Sequence, residues 1–414
     1  MALGMSSVPE TGHDRWVVLA LILGIRVALT IQMQCVGALG PVLLADPSLG
    51  LGYAGLGALI GAFMLPGIFV ALPSGWLMTR FGERYMVLTG LVLLTAGGLA
   101  LAAAPGFGAA LAARLLSGAG AALLNVVLST MVMARFTGPV LAPTMGVFLA
   151  ANPFGIGITL VTLPILAVVA ESWRVAALAA AVACAFALAI TPFVLSTERD
   201  SAAPGTERHP VGTEPRSGLL RPGEWGAVLA SGIAWAALNV GYVTLIGFSP
   251  ALLAGRGASP EAAGALASLA GWACIPLAPL GGALAERTGR PLLATAACLG
   301  ATAMAALALA VGLGPQSGAL VAAGLMVSIA ATVIMTMPAR ALAAESRSFG
   351  MGVYWTIFYV GMAGLPPAAG RVADTAGGAA AALWMAAAFF TAAILAVVTY
   401  ASLTMRRRSG ADAS

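Results

Sequence analysis

Long apolar runs, separated by short polar turns, make up most of the chain. Each run holds between 20 and 30 residues and few charges. The runs cover residues 16–43, 53–78, 85–104, 107–134, 142–170, 174–195, 225–254, 260–285, 291–312, 317–338, 349–370 and 378–404. A helix needs about 20 apolar residues to cross the hydrocarbon core of a bilayer. The pattern therefore predicts an all-α membrane protein with twelve transmembrane helices.

A polar stretch over residues 196–223 divides these runs into two sets of six. Its charged residues stand among prolines and glycines, so it can neither span a bilayer nor pack as a core. They are Glu198, Arg199, Asp200, Glu207, Arg208, Glu214, Arg216 and Arg221. The sequence predicts a flexible cytoplasmic linker between two six-helix bundles, residues 1–195 and residues 224–414.

The two sets also match each other in sequence. The stretch GPVLLADPSLGLGYAGLGALIG from Gly40 corresponds to SPALLAGRGASPEAAGALASLAG from Ser249. Each has a proline near the end of a helix, a short loop, and then a helix rich in alanine and glycine. Repeated six-helix bundles enclose a central pathway in many transporters, so we expect the same arrangement here.

The charged residues set the expected orientation. Only 8% of residues are charged, whereas soluble domains carry about a quarter. All twenty basic residues are arginine, and an inside N-terminus places fifteen of them on the cytoplasmic side and three on the outer side. Cytoplasmic loops carry the basic excess in membrane proteins. We therefore predict a multi-pass protein of a bacterial inner membrane with both termini in the cytoplasm.

Two turns share a pattern suited to a gate. One runs from Gly75 to Arg84 and the other from Gly282 to Arg290. Their glycines permit tight turns and close helix contacts. Their arginines can bond helix C-terminal carbonyls and carboxylates across the two bundles. The predicted gate residues are Thr79, Arg80, Gly82, Arg84, Glu286, Arg287, Gly289 and Arg290.

These turns resemble the helix 2–3 signature of the major facilitator superfamily, G-x-x-x-D-R-x-G-R-R. Glu286 replaces the aspartate in the second copy, whereas Thr79 stands at that position in the first. The sequence RLLSGAG from Arg114 resembles the helix 4 pattern of the family, and SWR from Ser172 resembles the start of its helix 6. The resemblance implies the major facilitator fold, in which two bundles rock around a midplane site.

Two arginines lie deep within predicted helices, Arg26 in the first run and Arg114 in the fourth. A charge at membrane depth is costly and normally faces an aqueous cavity or a partner. The runs offer no evident acidic partner, and arginine binds planar anions well. Arg26 is therefore interpreted as an anion-binding residue, the alternative being that backbone carbonyls satisfy it. For Arg114 a structural or gating role is the stronger interpretation.

Neutral polar and aromatic residues complete the candidate site. Thr30 and Gln34 share one helical face with Arg26 because they follow it at spacings of four and eight. The substrate-binding candidates are Arg26, Thr30, Gln34, Arg114, Asn125, Asn239, Tyr242, Trp355 and Tyr359. For the uncharged members, hydrogen bonds between helices and anchoring at the membrane interface are the alternatives.

The predicted function is secondary active transport of a small solute, an organic or inorganic anion, by alternating access. The first helix resembles that of cyanate and nitroimidazole carriers, which also have an arginine shortly before Gly-Pro. The alternative is a drug/proton antiporter that exports apolar compounds, since NPFGIG from Asn152 loosely resembles the antiporter helix 5 pattern. We interpret that sequence as a bend. A non-transporting membrane sensor is a remote alternative.

The remaining chemistry-bearing residues predict neither catalysis nor a bound cofactor. The cysteines stand singly in apolar runs, at Cys35, Cys184, Cys274 and Cys298, which is typical of small buried hydrophobic residues. No phosphate-binding loop, metal cluster or catalytic triad occurs in the sequence. We expect no metal, no cofactor and no enzyme activity. The expected partners are a small-molecule solute and the lipid bilayer, with no nucleic acid, and the expected state is a monomer.

Overall fold

The computed structural model describes residues 14–70, 78, 80–136, 140–201, 220–343 and 346–411, and within these ranges it contains helices and no strand. The helices before the predicted linker are α1 (Asp14–Ala38), α2 (Gly40–Ala45), α3 (Tyr53–Ala62), α4 (Glu83–Ala102), α5 (Phe107–Arg135), α6 (Leu141–Val169) and α7 (Trp173–Ser201). Those after it are α8 (Pro222–Gly255), α9 (Pro260–Cys274), α10 (Gly281–Arg287), α11 (Pro291–Val311), α12 (Gln316–Ala341), α13 (Arg347–Thr375) and α14 (Ala380–Ala411).

Local sequence signals explain several helix ends. Ser259 precedes α9, and its hydroxyl accepts a hydrogen bond from the backbone N–H of Ala262, as a serine N-cap does. Pro260 follows at the first helical position, where no N–H is needed. At its other end, α11 stops at Gly312, which has the left-handed conformation of a C-terminal glycine.

Ten described segments are long and apolar enough to cross a membrane. The all-helical, multi-pass prediction is confirmed, whereas the count of twelve spans is not. The predicted run 260–285 is interrupted, because α9 ends at Cys274 and a series of turns precedes α10. The predicted run 349–370 lies within α13, which is absent from the ten. Its glycines, prolines and polar aromatic residues lower its mean hydropathy.

Helices α1–α7 pack mainly on one another and helices α8–α14 do the same; we call these sets the first half and the second half. Helix α7 continues to Ser201, beyond the predicted start of the linker. Residues 202–219 of the predicted linker lie outside the described residues. The exact boundaries of the two bundles therefore stay a prediction.

The two halves meet through small residues. Helix α3 packs against α13 across Gly57 and Gly61, where an added Cβ would overlap the backbone at Pro366 and Ala363. Helix α6 packs against α9 in the same way. Helix α1 approaches α8 closely at Gly37 and Gly247, near the end of α1. Close backbone approach at small residues is the usual way in which membrane helices associate.

Candidate functional site

Arg26 lies in the middle of α1 and faces the other helices of the first half. Its Nη1 donates a hydrogen bond to the side-chain oxygen of Asn125 on α5. Its guanidinium lies 5.2 Å from the ring centroid of Phe148 on α6, within the range of a cation–π contact. Its Nε is buried and has no hydrogen-bond partner among the described residues. The guanidinium therefore retains a free donor at membrane depth.

Thr30, one turn after Arg26, links the site to α6. Its hydroxyl lies 2.9 Å from the carbonyl oxygen of Arg26 and 3.0 Å from the side-chain oxygen of Asn152. A hydroxyl that bonds its own helix one turn back is a common arrangement in membrane helices. Sequence reasoning missed Asn152 as a site residue because its neighbour, Pro153, suggested only a bend. Phe148 carried no sequence signal either.

Asn125 connects this cluster to the second half. Its side chain also lies within interaction distance of the hydroxyl of Tyr359 on α13. The structure thus brings together Arg26, Thr30, Asn125 and Tyr359, four of the predicted substrate-binding residues. Because Tyr359 belongs to the second half, the cluster spans the boundary between the two halves.

Five aromatic side chains of α8 and α13 adjoin this cluster, and we call them the aromatic wall. Its members are Trp235, Tyr354, Trp355, Phe358 and Tyr359. The ring centroid of Trp355 lies 6.4 Å from that of Tyr359 and 5.4 Å from that of Phe358. The indole nitrogen of Trp235 and the hydroxyl of Tyr354 are buried without a hydrogen-bond partner in the described part of the chain.

Arg114 lies apart from the cluster and contacts α1 about two turns after Arg26. Its side chain is fully buried and donates to the carbonyl oxygens of Leu59, Gln32 and Met33 at distances of 2.7–3.0 Å. Its guanidinium also lies 4.3 Å from the ring centroid of Phe63. The donors of Arg114 are therefore engaged by backbone, which favours the structural interpretation of this residue over substrate binding.

Three further candidates also lie away from Arg26. Gln34 lines a small cavity between α1, α3 and α8, next to Gly37 and Gly247. The amide nitrogen of Asn239 donates to the carbonyl oxygen of Trp235 in its own helix. The hydroxyl of Tyr242 donates to the carbonyl oxygen of Ala270 on α9. These three side chains line a cavity or form hydrogen bonds within or between helices. Their role in binding solute stays a prediction.

The two predicted gate turns share their backbone geometry. Gly82, which precedes α4, has φ of 81°, and Gly289, which precedes α11, has φ of 70°. This left-handed conformation is readily available only to glycine. Thr79 lies outside the described residues. Near these glycines lie the gate arginines on both turns, which are Arg80, Arg84, Arg287 and Arg290.

Each gate turn has an acidic residue paired with an arginine at the end of a later helix in the same half. Glu286 pairs with Arg340 of α12 at 2.8 Å, and Glu83 pairs with Arg135 of α5 at 3.0 Å. Glu83 thus gives the first turn an acidic residue four residues after Thr79, which occupies the acidic position of the signature. Sequence reasoning overlooked Glu83 because it lies outside the signature position. Neither pair joins the two halves, so a latch between them at this end stays a prediction.

Double-mutant cycles should show that the Glu83–Arg135 pair is the stronger of the two. Its side chains are 32% and 16% exposed, against 60% and 53% for Glu286 and Arg340. Since solvent screens exposed charges, we expect a coupling free energy of about 1 kcal/mol for the first pair and near zero for the second. Unfolding of the Gln variants in SDS micelles would measure both. Equal coupling energies would contradict the expectation.

At the opposite end of the molecule a carboxylate joins the two halves directly. The two side-chain oxygens of Asp374, near the end of α13, accept hydrogen bonds of 2.7 and 2.8 Å from the backbone N–H groups of Tyr53 and Ala54. These N–H groups belong to the first turn of α3 and have no partner within that helix. Asp374 therefore serves as an N-terminal cap supplied by the other half.

The described residues contain no group of three or more His, Cys, Asp or Glu side chains that could hold a metal ion. The four cysteines are free thiols, and three of them are fully buried, as their apolar surroundings predicted. The candidate site is thus an arginine, neutral polar groups and aromatic rings. That set can bind an anion or a polarised solute.

Comparison with known proteins identifies the family. The model of the Major Facilitator Superfamily matches residues 22–314, which include the Arg26 cluster of the first half and both gate turns. A search of curated proteins found no match. The match spans well over half of the chain and agrees with the many apolar helices. The chain therefore belongs to the Major Facilitator Superfamily, whose members are multi-pass membrane transporters and not enzymes.

Proposed function

We propose that this transporter carries a small organic or inorganic anion across a bacterial inner membrane by alternating access. Arg26 binds the anionic group, assisted by Thr30 and Asn125 of the first half and by Tyr359 of the second. The resemblance of the first helix to cyanate and nitroimidazole carriers supports uptake as the direction. The arginine distribution supports a cytoplasmic location for both termini.

One observation carries the proposal: Arg26 is a deep cation without an acidic partner among the described residues. Its partners there are a neutral amide and an aromatic ring, and its Nε is unpaired. An unpaired charge at this depth is costly unless a mobile anion or water compensates it. Arg114, the other deep cation, is engaged by backbone carbonyls. The contrast between the two residues points to Arg26 as the solute site.

The contacts between the halves fit alternating access. Gly57 and Gly61 of α3 pack on α13, and Asp374 caps α3, at the end of the molecule where α1 terminates. With the N-terminus inside, as the arginine distribution supports, this is the outer end, and we infer a state closed toward the outside. Separation of the halves at this end would give the anion access to Arg26 from outside.

Replacement of Arg26 by glutamine should abolish anion transport and weaken anion binding. Glutamine retains a donor but not the charge, so we expect affinity to fall by at least about tenfold, which corresponds to about 1.4 kcal/mol. Uptake into proteoliposomes, screened with acetate, benzoate, oxalate, nitrate and cyanate, would measure the effect. Thermal shifts with the same anions would report binding independently of transport.

The matched control is Arg371→Gln, because Arg371 is an exposed arginine of α13 and lies away from the Arg26 cluster. It should bind and transport as the parent does. Anion uptake that survives in Arg26→Gln at normal protein levels would contradict the proposed site. Transport of apolar compounds but of no anion would favour the drug/proton antiporter instead.

A further inference from the structure

We propose that the transported anion carries a flat aromatic ring, which binds against Trp355 in the aromatic wall while its anionic group binds Arg26. This inference rests on the proposed function, because it assigns the rest of the solute at the same site. It names a substrate class, aromatic carboxylates or similar aromatic anions, with the ring held by the second half and the charge by the first.

The geometry places the two parts of such a solute side by side. Tyr359 lies beside Arg26 and Asn125, and Trp355 precedes Tyr359 by four residues on the same face of α13. One helical turn rises about 5.4 Å, close to the 6.4 Å between the centroids of these two rings. Because Tyr359 belongs to the aromatic wall and lies beside the Arg26 cluster, the charge site and the wall adjoin each other.

The aromatic wall retains capacity for a further ring. Three rings meet Trp355 nearly at right angles, with interplanar angles of 87–89°, and the tilt to Tyr359 is 39°. No described ring stacks parallel on Trp355. Its side chain and those of Trp235 and Phe358 are only partly buried. A flat ligand can therefore gain the stacked or edge contacts that aromatic side chains favour.

The wall also contains polar groups that apolar packing alone leaves unexplained. The indole N–H of Trp235 is buried and unpartnered, although buried tryptophan nitrogens usually find an acceptor. Together with the unpartnered Nε of Arg26 it provides hydrogen-bond donors on both halves. A planar anion offers several acceptor oxygens or nitrogens to such donors. An apolar drug would leave both donors unsatisfied.

The test compares three carboxylates that share one charged group: benzoate, cyclohexanecarboxylate and acetate. Isothermal titration calorimetry on the purified full-length protein would give their affinities. We expect benzoate to bind about tenfold more tightly than cyclohexanecarboxylate, since only the flat ring stacks. Trp355→Leu should remove this preference while cyclohexanecarboxylate binding persists. Trp384→Leu should retain it, because Trp384 is an exposed residue of α14 outside the wall.

Failure of this inference is distinguishable from failure of the proposed function. Equal affinities for benzoate and cyclohexanecarboxylate, both reduced by Arg26→Gln, would overturn the aromatic assignment and leave the anion site standing. Benzoate binding that is unaffected by Arg26→Gln would overturn both. A preference for benzoate that persists in Trp355→Leu, or no saturable benzoate binding at all, would overturn the aromatic assignment.

Discussion

Replacement of Arg114 by methionine is expected to destabilise the protein more than any other single substitution considered. The change removes a fully buried guanidinium together with its three hydrogen bonds to the carbonyl oxygens of Leu59, Gln32 and Met33. Each hydrogen bond to a charged group contributes about 1.5–3 kcal/mol. We expect the free energy of unfolding to fall by about 3 kcal/mol or more, measured by unfolding in SDS micelles together with the Tm in detergent.

Arg371→Met is the control for Arg114→Met, since it removes an exposed arginine by the same chemical change. Its stability should equal that of the parent. The stability of Arg114→Lys should lie between those of the two methionine variants. The lysine ammonium keeps the charge but lacks the planar, forked guanidinium that reaches three carbonyl oxygens. A methionine variant as stable as the parent would show that Arg114 does not hold α1, α3 and α5 together.

Replacement of Asp374 by asparagine is expected to open the end of the molecule that this carboxylate holds closed. The side chain bonds two N–H groups of α3 from the other half. At a helix N-terminus, hydrogen bonds accepted by a carboxylate are stronger than those accepted by a neutral amide. We expect the population open at this end to rise by about tenfold, a change of about 1.4 kcal/mol.

Thiol labelling would report this opening. Ile60 is 8% exposed and contacts Gly247 between the halves, so Ile60→Cys, with the four native cysteines replaced by alanine, places the probe in the interface. Maleimide should label it faster in Asp374→Asn. The control is Asp46→Asn, because Asp46 bonds Ser48 and Trp173 within the first half. Equal rates in all three proteins would refute the role of Asp374.

The features that sequence predicted well depend on local pattern. The apolar runs predicted membrane helices, because burial in lipid requires nearly every residue of a span to be apolar. The positions of Gly82 and Gly289 within the repeated motif predicted tight turns, and both glycines adopt positive φ. The run 260–285 shows the limit of this approach, since hydropathy does not reveal that α9 stops at Cys274.

The features that sequence did not predict depend on distant partners. Asp374 caps a helix that begins 321 residues earlier, and Arg114 bonds carbonyls 55–82 residues away. Neither contact leaves a periodic signal. Glu83 was nearer to detection, because it lies within the motif, four residues after Thr79 in the sequence. A search for any acidic residue in the turn, and not only at the signature position, would have found it.

The contacts of the Asn125 side chain affect how readily the empty carrier changes state. A single amide bonds Arg26 of the first half and lies beside Tyr359 of the second, so an empty transporter has its halves in contact at mid-depth. An anion that engages Arg26 would compete with that amide and loosen the contact. The unloaded protein would then cross between its two states more slowly than the loaded one. Such a difference is what keeps a carrier from dissipating a gradient by cycling without cargo.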